Sequence, residues 1–199
     1  MSDLGNDRAQ VFDALYTRDS DPWNVTTSDY ERNKYTATLA ALPPDRRFQN
    51  ALDIGCSFGT LTRLIARRCA SITGVDVSKV AIEKAREECA PSIRFIRGEM
   101  PAIWPQARYD LILLSEILYF LNAGEIARMA DLVKRDLMAD GICLLVNWTG
   151  PNDLPLSGDQ AADLFIRSLG RKSVSPAATA RHENFRIDTI RSDYDNRQS

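Results

Sequence analysis

The stretch ALDIGCSFGTLTRLIA, residues 51–66, decides the fold. An apolar run that ends in Asp53 passes through Gly55 and Gly59 and leads straight into an amphipathic helical pattern. Glycines let the backbone turn sharply and approach a ligand closely. The first crossover of an open α/β sheet is the favoured place for a nucleotide-like ligand. The segment therefore reads as strand, loop and helix, with a ligand at the strand's carboxyl end.

From about residue 50 onward, short apolar runs alternate with helical stripes, the pattern of a mostly parallel sheet flanked by helices. The strands are expected at NALDIG (50–55), ASITGVDV (70–77), SIRFIRG (92–98), YDLILLS (109–115) and GICLLVNW (141–148). Their apolar centres suit burial on both faces. Leu61, Leu64, Ile65 and Arg68 share one face of a helix over 59–69. Ala81, Ala85 and Cys89 follow the cap Ser78, and Ile126, Met129, Ala130, Val133 and Leu137 follow the Asn122/Glu125 capping pair. Two helices precede the sheet, at 7–17 and 28–42, the second opened by Ser28 and Glu31 and closed by Pro43 and Pro44. They are expected to pack over an edge or mouth of the core. Residues 149–159 read as a loop followed by a helix near 159–169, FRIDTI (185–190) as an antiparallel edge strand, 171–181 as strand or loop, and 193–199 as a frayed end.

Composition narrows the function classes. The 199 residues are 44% hydrophobic, and 25 basic side chains stand against 27 acidic ones for a net charge of −2. One domain over 1–199 fits that length. A general nucleic-acid binder needs an excess of Lys and Arg that is absent here. LILLSEILYFL (111–121) contains Glu116 and is shorter than the ~20 residues of a membrane helix, and the start MSDLGNDRAQ lacks the pattern of an export signal. No membrane span and a cytoplasmic location are the expectations. Cys56, Cys69, Cys89 and Cys143 make no CxxC pair and His182 is the only histidine, so no metal motif is expected.

A second signal joins the glycine loop. Asp76 ends the second strand, 21 residues after Gly55, where a carboxylate accepts hydrogen bonds from the hydroxyls of an adenosine ribose. The loop D-I-G-C-S-F-G departs from the G-x-G-x-x-G spacing that cradles a pyrophosphate. Asp53 beside it repels phosphate but attracts an ammonium or a sulfonium. Charge therefore favours S-adenosylmethionine over NAD. The plainer role for Asp53 is to hydrogen-bond the turn itself.

The blocks LDIGCSFGTLT, VDVS, GEMP and YDLILLSEILYFL, in that order over 50–150, resemble the class I S-adenosylmethionine-dependent methyltransferases. The family usually has Gly where Ser57 stands, and a serine hydroxyl there can bond the cofactor's carboxylate. The resemblance implies a Rossmann-like fold with Asp53, Gly55, Cys56 and Ser57 along the methionine part, Asp76 with Val77 at the ribose, and Glu99 with Met100 near the adenine. It also implies Ser115 and, from a helical lid, Tyr30, Arg32 and Lys34 as cofactor contacts. DPWNVTTSDYERNKYTATLAAL (21–42) and RHENFRIDTI (181–190) extend the likeness to the rhizobial nodulation protein S methyltransferases. That likeness implies N-methylation of the free amine on the non-reducing-end glucosamine of a chitooligosaccharide, with a helical segment over 1–45, a cofactor-binding core over 46–150 and a substrate-side extension over 151–199.

An amine must be neutral to attack, which calls for a proton acceptor. Glu116, which follows Ser115 where an apolar strand ends, is the candidate, with Tyr119 three residues on. Its plainer role is a bond to the loop backbone. Trp23, Tyr119 and His182 are candidate substrate contacts, and Asp153, Asp159 and Glu183 are carboxylates able to meet sugar hydroxyls. Another amine or hydroxyl acceptor, or cofactor binding without turnover, are the alternatives.

Overall fold

The computed structural model describes residues 7–19, 21–23, 28–170 and 174–192. Its strands are β1 (Phe48–Ile54), β2 (Cys69–Asp76), β3 (Arg94–Arg97), β4 (Tyr109–Ser115), β5 (Leu137–Trp148), β6 (Val174–Arg181) and β7 (Phe185–Ser192). The helices are α1 (Arg8–Arg18), α2 (Asp29–Ala40), α3 (Thr60–Ala66), α4 (Lys79–Glu88), α5 (Ala123–Asp136) and α6 (Gly158–Leu169). The strands form one mostly parallel sheet in the order β3-β2-β1-β4-β5-β7-β6, and the chain divides into two units, Met1–Ile103 and Trp104–Ser199.

In the first unit, β1 and β2 pair in parallel up to Ile54↔Val75, and β2 and β3 up to Asp76↔Arg97. This register brings the carboxyl ends of all three strands within one residue of each other, so their loops open at one edge. Ala51, Leu52, Ile54, Ile72 and Val75 are buried, as central parallel strands require. Ser78 caps α4 as expected, its hydroxyl accepting from the Ala81 N–H at 3.2 Å. Helix α3 is shorter than the sequence pattern suggests. Arg68 lies beyond it, and its guanidinium donates to the carbonyls of Pro43 and Arg46 instead of extending the helical face. The capping pair expected at Ser28 does not form: the Ser28 hydroxyl accepts from the Tyr30 N–H, and Glu31 turns inward to Lys34.

In the second unit, β4 and β5 run parallel from Leu111↔Ile142 to Ser115↔Val146. The Asn122/Glu125 box forms in both directions, at 3.0 and 2.8 Å, and the buried stripe of α5 is Ile126, Met129, Ala130 and Val133. Strand β5 begins four residues before the apolar run, because the ladder slips between Tyr109 and Leu111 and absorbs the exposed Met138, Ala139 and Asp140. FRIDTI is not at the edge. Strand β7 pairs antiparallel with β5 on one side and β6 on the other, and β6 is the outer strand. Burial of all six residues from Phe185 to Ile190 follows from that double pairing. The outer strand settles 174–181 as strand, while 171–173 and 193–199 lie outside the described residues.

Candidate functional site

The loop between β1 and α3 is built on left-handed backbone. Gly55, Ser57 and Gly59 have φ of 82, 48 and 77°, and the N–H groups of Gly55 and Cys56 both donate to the Val75 carbonyl, at 2.9 and 3.1 Å. At Gly59 a Cβ would lie 2.8 Å from the Phe95 ring and 2.9 Å from the Cys89 sulfur, so space as well as φ requires glycine. Ser57 takes the same backbone region with a side chain, at a cost of about 1–2 kcal/mol. Its N–H donates to Oδ2 of Asp76 at 3.0 Å, and its hydroxyl accepts from the Tyr16 phenol at 2.9 Å.

Two carboxyls flank this loop. Asp53 is fully buried. Its Oδ2 accepts from the Thr62 hydroxyl at 2.6 Å, while Oδ1 has no hydrogen-bond partner among the described residues. Burial pushes its pKa from 3.8 to about 6, against the pull of the Thr62 bond and with a smaller push from Asp76. Asp76 accepts from the N–H groups of Ser78 and Ser57, one per oxygen. Burial raises its pKa as well, opposed by those backbone donors. The Cys56 thiol is pushed well up, chiefly by burial, and an acid that weak gives no reactive thiolate.

Helix α1 bonds to the loops after all three strands of its unit. Tyr16 reaches Ser57 after β1, Asp13 accepts from the Ser78 hydroxyl at 2.5 Å after β2, and Arg8 pairs with Glu99 at 2.7 Å after β3. The structure thus collects Asp53, Gly55, Cys56, Ser57, Asp76, Val77, Glu99 and Met100 along one edge of the unit. It adds Arg8, Asp13 and Tyr16, which the sequence pattern did not single out because their partners lie 91, 65 and 41 residues away. The Val77 carbonyl accepts from Arg97 at 3.3 Å, and Met100 is buried. Trp23 packs edge-on to Tyr16 at 5.2 Å and against Phe12 at 6.1 Å, with 41% of its surface exposed.

The residues of α2 stand in different surroundings. Lys34 is buried in an intrahelical pair with Glu31 at 2.7 Å and sits over the rings of Tyr30 and Tyr35. Arg32 pairs with Asp29 on the exposed side of α2.

In the second unit, Ser115 ends β4, and Glu116 follows with φ 54°. The Glu116 N–H donates to the Val146 carbonyl at 2.7 Å, so its backbone is fixed while the strand stops. Tyr119 lies in a 3-10 turn over Leu118–Phe120, buried against the Phe120 ring at 4.8 Å. Glu116 stands outside that turn, so the shared helical face expected for the two residues does not arise. His182 lies between β6 and β7, exposed, with its ring stacked on Phe185 at 4.2 Å. Asp159 is engaged with Arg181 and Arg186 at 2.9 and 3.1 Å, part of a cluster in which the buried Arg186 also meets Asp163 and Asp188. The two guanidiniums hold the Asp159 carboxyl below its usual range. All four cysteines are free thiols. Among the described residues no helix is long and apolar enough to cross a membrane, and no group of three metal-ligating side chains occurs.

The fold is shared with a solved structure described as the N-methyltransferase NodS from Bradyrhizobium japonicum WM9 in complex with S-adenosyl-l-homocysteine. That likeness has a TM-score of 0.78 at 18% identity, covering 92% of this chain and 97% of that one. In sequence, Nodulation protein S of Rhizobium tropici is 29% identical over 62% of this chain and 57% of its own length. Nodulation protein S of Azorhizobium caulinodans is 31% identical over 61% and 59%. The chain spans just under three fifths of these relatives' length. The family model "Nodulation protein S (NodS)" matches residues 10–143, and with two thirds of its length inside that match the chain belongs to the nodulation protein S family.

Proposed function

We propose that this protein is an S-adenosylmethionine-dependent N-methyltransferase. Its acceptor is the free amine of the non-reducing-end glucosamine of a deacetylated chitooligosaccharide, within Nod factor synthesis in the cytoplasm. The observation that carries the cofactor is Asp53, a fully buried carboxyl with one oxygen lacking a hydrogen-bond partner among the described residues, beside a loop of left-handed residues. An uncompensated buried carboxylate is costly, and a cation removes that cost. The donor set fits a ligand with an ammonium, a sulfonium and a ribose: Asp53 for positive charge, the Ser57 hydroxyl for the carboxylate, and Asp76 for the ribose hydroxyls. It does not fit a pyrophosphate, which the buried Asp53 and the half-buried Asp76 would repel.

When bound, S-adenosylmethionine supplies an electrophilic methyl group on a positively charged sulfur. The rest is positioning, and well-oriented pairs reach effective molarities on the order of 10⁵ M. The carbon–sulfur bond breaks as the carbon–nitrogen bond forms, and the amine's extra proton must leave. We assign that proton to the Glu116 carboxylate. Glu116 stands at the carboxyl end of β4, the end at which open α/β sheets bind ligands, and its peptide N–H is fixed by Val146. The four relatives carrying the nodulation protein S name support a role in nodulation, and the solved N-methyltransferase of the same family name supports transfer to nitrogen. Incubation with methyl-labelled S-adenosylmethionine and a glucosamine oligomer tests the reading. Label on the sugar nitrogen supports it; cofactor binding with no transfer to the sugar contradicts the acceptor.

A further inference from the structure

Buried polar atoms without partners are rare in a folded chain, and each one calls for an explanation. Among the described residues of the second unit there are four, and three of them are carboxamide atoms of Asn147 and Asn152. The fourth, Oδ2 of Asp188, lies 2.8 Å from the Arg186 guanidinium. Asn147 is the more exceptional of the two amides: it is fully buried, and among the described residues neither its Nδ2 nor its Oδ1 has a hydrogen-bond partner. Leaving both unsatisfied costs more than placing an apolar side chain of the same size there.

The position of that amide matters for the chemistry. Asn147 is the penultimate residue of β5. The last pair between β4 and β5 is Ser115↔Val146, and the Glu116 N–H donates to Val146 at 2.7 Å. One step further along this register sets Asn147 beside Glu116. On its other side lies the start of α6, where a Cβ on Gly158 would approach the Asn147 Cβ to 3.2 Å. The chain then runs through the 149–157 connection, which has neither helix nor strand and contains Asn152, whose Nδ2 also has no hydrogen-bond partner among the described residues.

We infer that the Asn147 carboxamide holds two adjacent hydroxyls of the acceptor sugar beside Glu116, Nδ2 donating to one and Oδ1 accepting from the other. A carboxamide offers one donor edge and one acceptor edge in a plane, which matches a vicinal diol. In a (1→4)-linked glucosamine oligomer only the non-reducing-end ring has both its 3- and 4-hydroxyls free. Every other ring has its 4-oxygen in a glycosidic bond. Asn147 thereby selects the terminal sugar. This inference rests on the acceptor proposed above and deepens it.

The test compares a glucosamine oligomer with its analogue lacking the terminal 4-hydroxyl, using the wild-type protein and Asn147→Leu. Sites that hydrogen-bond a substrate hydroxyl discriminate strongly against the analogue without it, because their own polar groups are left unpaired. The expected result is kcat/KM at least tenfold lower for the deoxy sugar with the wild type. The variant should show near-equal values for the two sugars, with cofactor affinity unchanged. If Asn147→Leu does not fold, Asn147→Ser serves, and the wild-type comparison needs no variant. Transfer to both sugars with equal kcat/KM overturns the role of Asn147 and leaves the proposed reaction standing. Wild-type discrimination that persists in the variant assigns the amide to an ordered water and also overturns it. No transfer to either sugar, with cofactor still bound, overturns the acceptor and this inference together.

Discussion

The phenol of Tyr16 donates a hydrogen bond to the hydroxyl of Ser57 at 2.9 Å, joining α1 to the loop after β1. Ser57 is a non-glycine residue at φ 48°, so its side chain is retained in backbone that glycine would occupy without strain. The bond to Tyr16 offsets part of that strain, and the same ring packs edge-on to Phe58 at 4.9 Å.

Tyr16→Phe is therefore expected to lower stability by about 1 kcal/mol, the worth of one neutral hydrogen bond. Ser57→Gly in the wild type trades the bond for relief of strain and comes out near neutral. In the Tyr16→Phe background it stabilises by about 1 kcal/mol, since only the relief remains. Urea unfolding of the four proteins closes this double-mutant cycle. Additive effects would show that the two side chains do not act as a pair.

Asp53 gives the protein a pH dependence of definite sign. Its pKa rises from 3.8 to about 6 on folding, so the folded state holds the proton more tightly. Stability without cofactor falls as pH climbs from about 4 to about 6, and then levels. Two pKa units correspond to about 3 kcal/mol. Asp53→Asn is expected to be more stable than wild type at pH 7 by up to about that amount, with little difference at pH 4. A bound cation reverses the preference, so S-adenosylmethionine affinity should strengthen as pH rises through 6 and be flat in Asp53→Asn. Calorimetric titration across pH 5–8 checks this, and identical profiles for the two proteins would contradict it.

The sequence showed local features well and long-range ones hardly at all. Ser78 and the Asn122/Glu125 pair declared their helices because a cap is a contact within one turn. The Ser28/Glu31 pattern has the same spacing yet fails, because Glu31 finds a buried partner in Lys34. Helical spacing does not say which face meets the core. Gly55, Gly59 and Asp76 were legible because backbone geometry ties them to neighbours in the chain. Arg8 and Tyr16 were not, since their roles depend on partners after β3 and β1. FRIDTI read as an edge from its alternation, and only the pairing of β6 outside it reveals a covered strand.

Asp76→Ala should weaken S-adenosylmethionine binding through the loss of charge-assisted bonds to the ribose. One such bond is worth about 1.5 to 3 kcal/mol, or roughly 10- to 150-fold in Kd. The variant also loses the acceptor for Ser57 and Ser78, so a lower melting temperature accompanies the change. Unchanged affinity in a folded variant would remove Asp76 from the site.

Glu116→Gln keeps the shape of the residue and removes its capacity to take a proton. General-base contributions are of order 10²- to 10⁴-fold, and kcat should fall within that range while cofactor affinity stays as in the wild type. A wild-type kcat would remove Glu116 from the proton transfer.

The most direct test of the proposed reaction is methyl transfer from labelled S-adenosylmethionine to two matched chitooligosaccharides. One carries a free amine at the non-reducing end and the other is fully acetylated. The predicted result is label on the free-amine sugar alone, attached to nitrogen. Equal label on both sugars, or label on neither while the cofactor binds, would contradict N-methylation of the terminal glucosamine.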